Sequence, residues 1–133
     1  MNISTGLVCL ALVVYHEARG ENDVVKQAVV QTIENRSDIN GSTVCKETFR
    51  KNQLTWTRGT KEFKGGNIYS PTFLKKYKIR NKDEWEESIE FVKTRKQIKL
   101  ESTHFSTSNP NTSWRKKLKR LVKLGPFWFY KES

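Results

Sequence analysis

The stretch that decides the fold is GLVCLALVVYHEARG, Gly6 to Gly20, an almost unbroken apolar run in an otherwise polar chain. Its apolar side chains recur at helical spacing around the whole circumference, which is typical of a helix buried nearly all round. Ser4 or Thr5 before the run is a suitable N-cap, and Gly20 is a common helix end. The sequence therefore predicts a buried helix over residues 4–19.

The overall composition indicates one small, strongly basic domain. The chain has 133 residues, 35% of them hydrophobic, and a formal net charge of +11, and this length suffices to bury a core. Four Trp, four Tyr and seven Phe argue against disorder. The charge favours polyanionic partners such as nucleic acid, anionic lipid headgroups or cell-wall polymers. It is densest in WRKKLKRLVK, Trp114 to Lys123.

The N-terminal run and the cysteines carry weaker signals. Gly6 to Tyr15 looks like the core of a signal peptide, but no basic segment precedes it, no small-residue cleavage site follows it, and it is too short to span a bilayer. We expect no signal peptide and synthesis in a reducing cytosol. Cys9 and Cys45 lack the spacing of metal ligands, and Cys9 is most simply a small buried hydrophobe. Whether the two pair stays open.

The remaining patterns predict a mainly α (α+β) fold, a single domain over 1–133 with a small antiparallel β element near the C-terminus. The expected elements are a second helix from Glu21 to about Arg36, a loop at SDINGST, a short helix over 44–52, a loop over 59–70, a helix from about Asn81, an extended piece over 102–106, and a hairpin over 119–131 around Gly125-Pro126.

Glu17 is the first candidate for chemistry, because it lies on the apolar face of the predicted first helix. A carboxyl there loses hydration, which raises its pKa, and glycosidase general acids keep their proton near neutral pH in this way. The structural alternative is an ion pair with Arg19 or another base. Glu21 either places a favourable charge at the start of the second helix or supports the turn that aims Glu17.

Other catalytic chemistries have little support. His16 and His104 are the only histidines; without cysteines or carboxylates at ligand spacing they give a weak zinc signal, so we expect no metal or other cofactor. His104 could line a groove or be an ordinary half-exposed histidine. The sequence contains neither a G-x-S-x-G stretch nor a phosphate-binding glycine loop.

Several segments resemble motifs of one enzyme family. LVVYHEARGE is similar to its V-Y-x-E-A-R-G-E signature, Asn35-Arg36 to an N-R pair, VCKETFRKNQLTW to a V-C … Q-F-S-W segment, STHFSTSNPNTSW to A-T-H-Y-H … N-P-x-W, and LVKLGPFWFYK to I-G-x-H-x-F-Y-K. In this order, over residues 7–131, the motifs resemble the cell wall hydrolase family typified by the spore cortex-lytic enzyme SleB.

This resemblance implies a lysozyme-like domain that cuts the glycan strands of peptidoglycan. The glutamate of E-A-R-G-E is the family's catalytic acid, which corresponds to Glu17, with Arg19 and Glu21 as supporting residues of the same motif. The chain departs from the family pattern at four positions, Leu54, Thr55, Ser106 and Phe127, where the family has Phe, Ser, His and His. The last two departures weaken any proposal of a histidine cluster.

The reaction implied is cleavage of the β-1,4 bond between N-acetylmuramic acid and N-acetylglucosamine. A muramidase that hydrolyses the bond needs a second carboxylate roughly 5 to 9.5 Å from the first, and the candidates are Glu21, Asp23, Glu47 and Glu62. A lytic transglycosylase needs only Glu17 as general acid and base. The lack of an obvious partner and the resemblance favour the transglycosylase.

Five side chains are expected to bind substrate in a groove: Tyr15, Gln53, Trp56, Tyr69 and His104. Aromatic faces suit the apolar faces of sugars, and an amide can hydrogen-bond an N-acetyl group. Core packing is an equally good interpretation of Tyr15 and Trp56.

A bare domain of this kind resembles a bacteriophage endolysin. We expect a monomeric bacteriolytic enzyme that is made in the host cytoplasm and reaches the periplasm or cell wall through a holin, with no stable membrane insertion and no nucleic-acid partner. The rival from another class is a basic nucleic-acid-binding module that uses residues 114–123. An amidase would require a zinc site that these residues do not supply.

Overall fold

One helix, α1 (Thr5–Glu17), forms the centre of the computed structural model, which describes residues 3–51, 53–107 and 118–132. Ser4 caps it by accepting a hydrogen bond from the Leu7 N–H at 3.2 Å. Its residues from Val8 to Tyr15 are all buried, so the prediction of a helix buried nearly all round is confirmed. The chain leaves α1 through Gly20, whose φ of 84° lies in the left-handed region.

The second helix is longer than the sequence pattern predicts. Helix α2 (Asp23–Asn40) begins at Asn22, whose side chain caps Val25 N–H, and ends at Gly41 in the left-handed conformation. The prediction that the segment from Ser37 onward is a loop was therefore wrong for its first four residues. They are polar or exposed, yet nothing stops the helix before the glycine supplies the left-handed C-cap.

Three short helical elements and one longer helix follow. They are α3 (Val44–Thr48), a 3₁₀ turn (Thr55–Thr57), α4 (Pro71–Lys76) and α5 (Lys82–Thr94). The predicted helix over 44–52 is confirmed only for its first five residues, and Asn52 lies outside the described residues. The predicted start of α5 is confirmed by Asn81, which caps it. Ser70 and Pro71 begin α4, which no sequence pattern predicted.

The C-terminal element is a three-stranded antiparallel sheet of order β1-β3-β2, made by β1 (His104–Ser106), β2 (Leu118–Leu124) and β3 (Phe127–Glu132). It confirms the terminal hairpin, and it confirms the extended piece over 102–106 for its last three residues. The buried side chains of Phe127 and Phe129 join the core. Residues 114–117 of the basic run lie outside the described residues, and 118–123 belong to β2. No helix of the described residues is both long and apolar enough to span a bilayer.

A disulfide joins α1 to α3, and so answers the question that the two cysteines left open. Cys9 and Cys45 are bonded across a sequence separation of 36 residues, and both are buried. Gly6 allows the close approach of the two helices, since a Cβ there would lie 3.1 Å from Cγ2 of Val44. The bond fixes α3 against the helix that ends in Glu17.

Reduction of this disulfide should lower thermal stability. Closing a loop of this size corresponds to about 3 to 4 kcal/mol, so the melting temperature should fall on the order of 10 °C in excess reductant. Circular dichroism of the oxidised and reduced protein measures the shift, and a Cys9→Ala/Cys45→Ala variant, which should not respond to reductant, is the control. Two free thiols in the untreated protein would contradict the assignment.

Candidate active site

Glu17 is the last residue of α1 and is half-buried at the edge of the core. None of the ion pairs among the described residues uses its carboxylate. Burial raises the pKa of Glu17, and the neighbouring Trp56 indole N–H opposes that shift. The structural alternative, an ion pair with Arg19, is therefore wrong, and the carboxyl is set up to retain a proton above the usual glutamate range.

The Trp56 side chain lies beside Glu17. Its ring stacks on the His16 ring, with centroids 4.4 Å apart and planes 19° from parallel, and its edge meets Phe49 at 5.6 Å. Its Nε1 is buried and has no hydrogen bond of ordinary geometry among the described residues, although it lies close enough to Glu17 to lower the pKa of that carboxyl. This N–H is therefore a donor available to the Glu17 carboxylate or to an oxygen bound beside it.

His16 holds Trp56 in place. Its Nε2 lies 2.8 Å from the carbonyl oxygen of Tyr77, and because a carbonyl only accepts, Nε2 carries the hydrogen. Burial lowers the pKa of His16, with further lowering from Arg19 and Lys78, while the hydrogen bond to Tyr77 opposes these effects. The His16 ring is therefore uncharged at neutral pH. Its Nε2 is bonded to the Tyr77 carbonyl, and one face of the ring stacks on Trp56.

The two supporting residues of the motif act on the turn after α1 rather than on the Glu17 carboxyl. Arg19 forms an ion pair with Glu84 of α5 at 3.0 Å, and its guanidinium lies 4.5 Å from the Tyr15 ring centre. The Glu21 carboxylate lies against the hairpin turn, where a Cβ added to Gly125 would be 3.2 Å from its Oε1. Both side chains fix the path of the chain just beyond Glu17.

Two of the five expected groove residues lie elsewhere. Tyr15 is 2% exposed, and its hydroxyl accepts hydrogen bonds from the backbone N–H groups of Arg80 and Asn81 at 2.9 and 3.1 Å. It is a core residue, so the expectation that it binds substrate was wrong. Tyr69 is exposed beside Thr5 at the opposite end of α1, whose 13 residues span about 20 Å.

Gln53 and His104 share a second cluster, organised by the buried Arg36. The Arg36 guanidinium donates to Oε1 of Gln53 at 3.0 Å and to the backbone oxygens of Glu47 and Thr103 at 3.1 and 3.4 Å. His104 hydrogen-bonds through Nδ1 with the Thr103 hydroxyl at 2.9 Å. Burial lowers the pKa of His104, and the nearby Arg36 charge lowers it further.

Glu47 is the counter-ion of that cluster. It is fully buried, lies 3.6 Å from Nε of Arg36, and accepts hydrogen bonds from Arg50, Ser42 and Asn40. Burial alone would raise its pKa, but the hydrogen bonds from those three residues outweigh it and hold the pKa at about 2. An ionised, fully bonded carboxylate of this kind is unsuited to activating water, so Glu47 is excluded as a second catalytic carboxylate.

The other three candidates for a second catalytic carboxylate have surroundings of their own, apart from the Glu17 carboxyl. Asp23 is exposed in the first turn of α2, and Glu21 lies against the hairpin turn. Glu62 lines a cavity of about 760 Å³ with Tyr77, where burial and then the Glu62 charge raise the pKa of Tyr77. None of these carboxylates shifts the pKa of Glu17.

Several contributors to the site were not assigned a role from the sequence. Phe49 and Tyr77 position Trp56 and His16, and Arg36 organises Gln53. The Asn35-Arg36 motif was a usable signal for Arg36, because a motif arginine inside an apolar helix needs a buried partner. The contacts of Phe49 and Tyr77 had no such signal. Among the described residues, no three His, Cys, Asp or Glu side chains are placed to hold a metal ion.

Comparisons with models of protein families, with curated proteins and with solved structures found no match to this chain. The likeness to the cell wall hydrolases therefore rests on the motifs in the sequence.

The Glu47 cluster should control acid stability. The folded-state pKa of Glu47 is depressed to about 2, so its contribution is present above the ordinary glutamate pKa and is lost as pH falls through the folded value. We expect on the order of 2 to 3 kcal/mol of unfolding free energy to disappear between about pH 4.5 and 2. Urea unfolding at a series of pH values measures this loss.

The matched control for the acid-stability series is Glu47→Gln, which keeps the shape of the side chain and cannot ionise. That variant should be less stable at neutral pH, and its unfolding free energy should fall less steeply between about pH 4.5 and 2. An unchanged pH dependence would mean that the ionised Glu47 carboxylate contributes nothing to the stability of the folded state.

Proposed function

We propose that this protein cleaves the glycan strands of peptidoglycan, with Glu17 as the catalytic acid and base. The observation that carries the proposal is the Glu17 carboxyl itself: half-buried, without an ion pair among the described residues, and with a pKa raised by burial. General acids of glycosidases need this combination, since the proton must still be present near neutral pH.

In the proposed step, protonated Glu17 donates its proton to the glycosidic oxygen between N-acetylmuramic acid and N-acetylglucosamine as the bond to C1 breaks. The resulting carboxylate then removes the proton from the C6 hydroxyl of the muramyl sugar, and that oxygen bonds to C1. The products are a free N-acetylglucosamine hydroxyl and a 1,6-anhydro muramyl end. No water is consumed, and Glu17 returns to its protonated form.

The transglycosylase route is favoured over hydrolysis because a single carboxyl suffices for it. An inverting or retaining hydrolase places a second carboxylate within roughly 5 to 9.5 Å of the acid. Glu47 is ionised and fully bonded, and neither Glu21 nor Glu62 shifts the pKa of Glu17. The muramidase is the second candidate, distinguished by its products.

The same proposal extends to the fold and the biological setting. A helical domain with a small sheet and a glutamate at the end of a buried helix suits a lysozyme-like architecture. The motif resemblance and the basic charge suit a phage endolysin, made in the host cytoplasm and released by a holin to the cell wall. Trp56, Gln53 and His104 are the described side chains that we assign to sugar contacts.

Replacing Glu17 by Gln should abolish wall lysis. Loss of a general acid costs at least about 100-fold in rate, while the isosteric amide should leave the fold intact. At neutral pH it should stabilise the fold, because a raised folded-state pKa means that ionisation of the buried carboxyl is unfavourable. Turbidity of chloroform-treated Gram-negative cells measures lysis, and thermal melting measures the fold.

Glu90→Gln removes an exposed carboxylate of α5 that forms none of the described ion pairs, and should lyse like the unmodified chain. Lysis by Glu17→Gln within twofold of the unmodified protein would refute the mechanism. In the same digests, mass spectrometry should find products lighter by one water than the hydrolysis products. Reducing muramyl ends would replace the transglycosylase by the muramidase.

A further inference from the structure

The outer face of the hairpin places two cations on one aromatic ring. The guanidinium carbon of Arg120 lies 5.1 Å from the centre of the Trp128 ring. Nζ of Lys123 lies 5.3 Å from the same point. Both cationic residues are exposed, and Trp128 is half-buried. None of the ion pairs in the described ranges uses Arg120 or Lys123. Both charges therefore face solvent, and no described acidic side chain neutralises them through an ion pair.

A bulge in β2 is responsible for this arrangement. Two residues three apart on a regular strand point to opposite faces of the sheet. The pairing register shifts between Arg120 and Val122, so that Arg120 faces Tyr130 and Lys123 faces Trp128. Tyr130 and Trp128 are two residues apart on β3 and share a face, which brings both cations to the same side. Bulges commonly re-aim side chains in this way.

The same face of the sheet carries one of the residues expected to bind substrate. In β1, His104 pairs with Tyr130 and Ser106 with Trp128, so His104 lies on the face that carries the two cations. At the hairpin turn, Gly125 lies against Glu21 and Val25, directly beyond the turn that follows Glu17. The face with the two cations therefore also carries His104, which we assign to sugar contacts.

We propose that Arg120, Lys123 and Trp128 form a binding surface for a carboxylate-bearing glycan, in which the Trp128 ring holds the two cations side by side for its carboxylates. The inference rests on the proposed function, because the peptide-bearing glycan strand of the wall has this chemistry. Two cations held beside one aromatic ring are suited to binding carboxylates. The hairpin tip is Gly125-Pro126 and the adjacent Phe127 is buried, which disfavours insertion into a lipid surface.

The test is binding of the full chain to purified peptidoglycan sacculi. All proteins carry Glu17→Gln so that the wall is not cut during the measurement. Arg120→Gln/Lys123→Gln should weaken co-sedimentation about tenfold and reduce its salt dependence. The matched control, Lys93→Gln/Lys96→Gln, removes the same charge from an exposed part of α5 and the segment after it and should weaken binding less than twofold.

Equal losses in the two double variants would overturn the proposal, since attraction would then depend on net charge alone. A short duplex DNA is the parallel probe. Loss of DNA binding without loss of sacculus binding would assign the surface to nucleic acid and would also overturn it. If the double variant lacks a melting transition, the single variants are measured, and unchanged binding in both contradicts the assignment.

This readout separates the surface from the reaction. If the unmodified chain fails to lyse cells while the Gln variants still lose sacculus binding, the proposed reaction fails and the binding surface stands. If Glu17 is essential for lysis while the Gln variants bind sacculi as tightly as their control, the surface fails and the reaction stands.

Discussion

Burial of α1 on all sides is the constraint on which the rest of the structure depends. The last residue of this helix, Glu17, is half-buried and lies between the buried residues of α1 and the exposed Arg19. Its carboxyl therefore loses hydration, and no residue in the described ranges forms an ion pair with it. The disulfide fixes α1 to α3, and the Arg19–Glu84 ion pair fixes the turn after Glu17 to α5. The environment of the carboxyl is thus a consequence of the central packing.

Two glutamates of the same domain illustrate how environment assigns a role. Glu47 is fully buried but surrounded by donors, and its pKa is held at about 2. Glu17 is less buried, only the Trp56 indole N–H opposes the effect of burial, and its pKa is raised. Burial acts in the same direction on both, so the hydrogen bonds decide the outcome. Glu47 stabilises the fold as an anion, whereas Glu17 is suited to carry a proton.

The aromatic side chains beside Glu17 are themselves positioned by contacts with residues distant in the sequence. Trp56 stacks on His16, and His16 is held by the carbonyl of Tyr77. Phe49, at the end of α3, closes the other side of the Trp56 ring. The segment from α3 to the 3₁₀ turn is therefore attached to α1 at two places, through the disulfide and through the aromatic stack. The position of Trp56 beside Glu17 depends on both attachments.

Periodicity predicted what depends on local pattern and failed where distant partners decide. It identified α1, the face of Glu17 and the hairpin, because each follows from spacing within a few turns or residues. It placed the end of α2 too early, since polar residues before Gly41 resemble a loop. The role of Tyr15 depends on backbone donors 65 and 66 residues away. The Arg120–Lys123 alignment depends on a bulge that leaves no pattern in the sequence.

The central claim is that Glu17 keeps its proton above the ordinary glutamate range, and titration of its carboxyl by carbon-13 NMR tests this most directly. The signal that is missing in Glu17→Gln identifies the Glu17 carboxyl. Glu17 should titrate above the ordinary glutamate range because burial disfavours its charged form. Trp56→Phe should raise that pKa further, since it removes the donor that favours the anion. A Glu17 that titrates at or below the ordinary value would contradict its assignment as the catalytic acid.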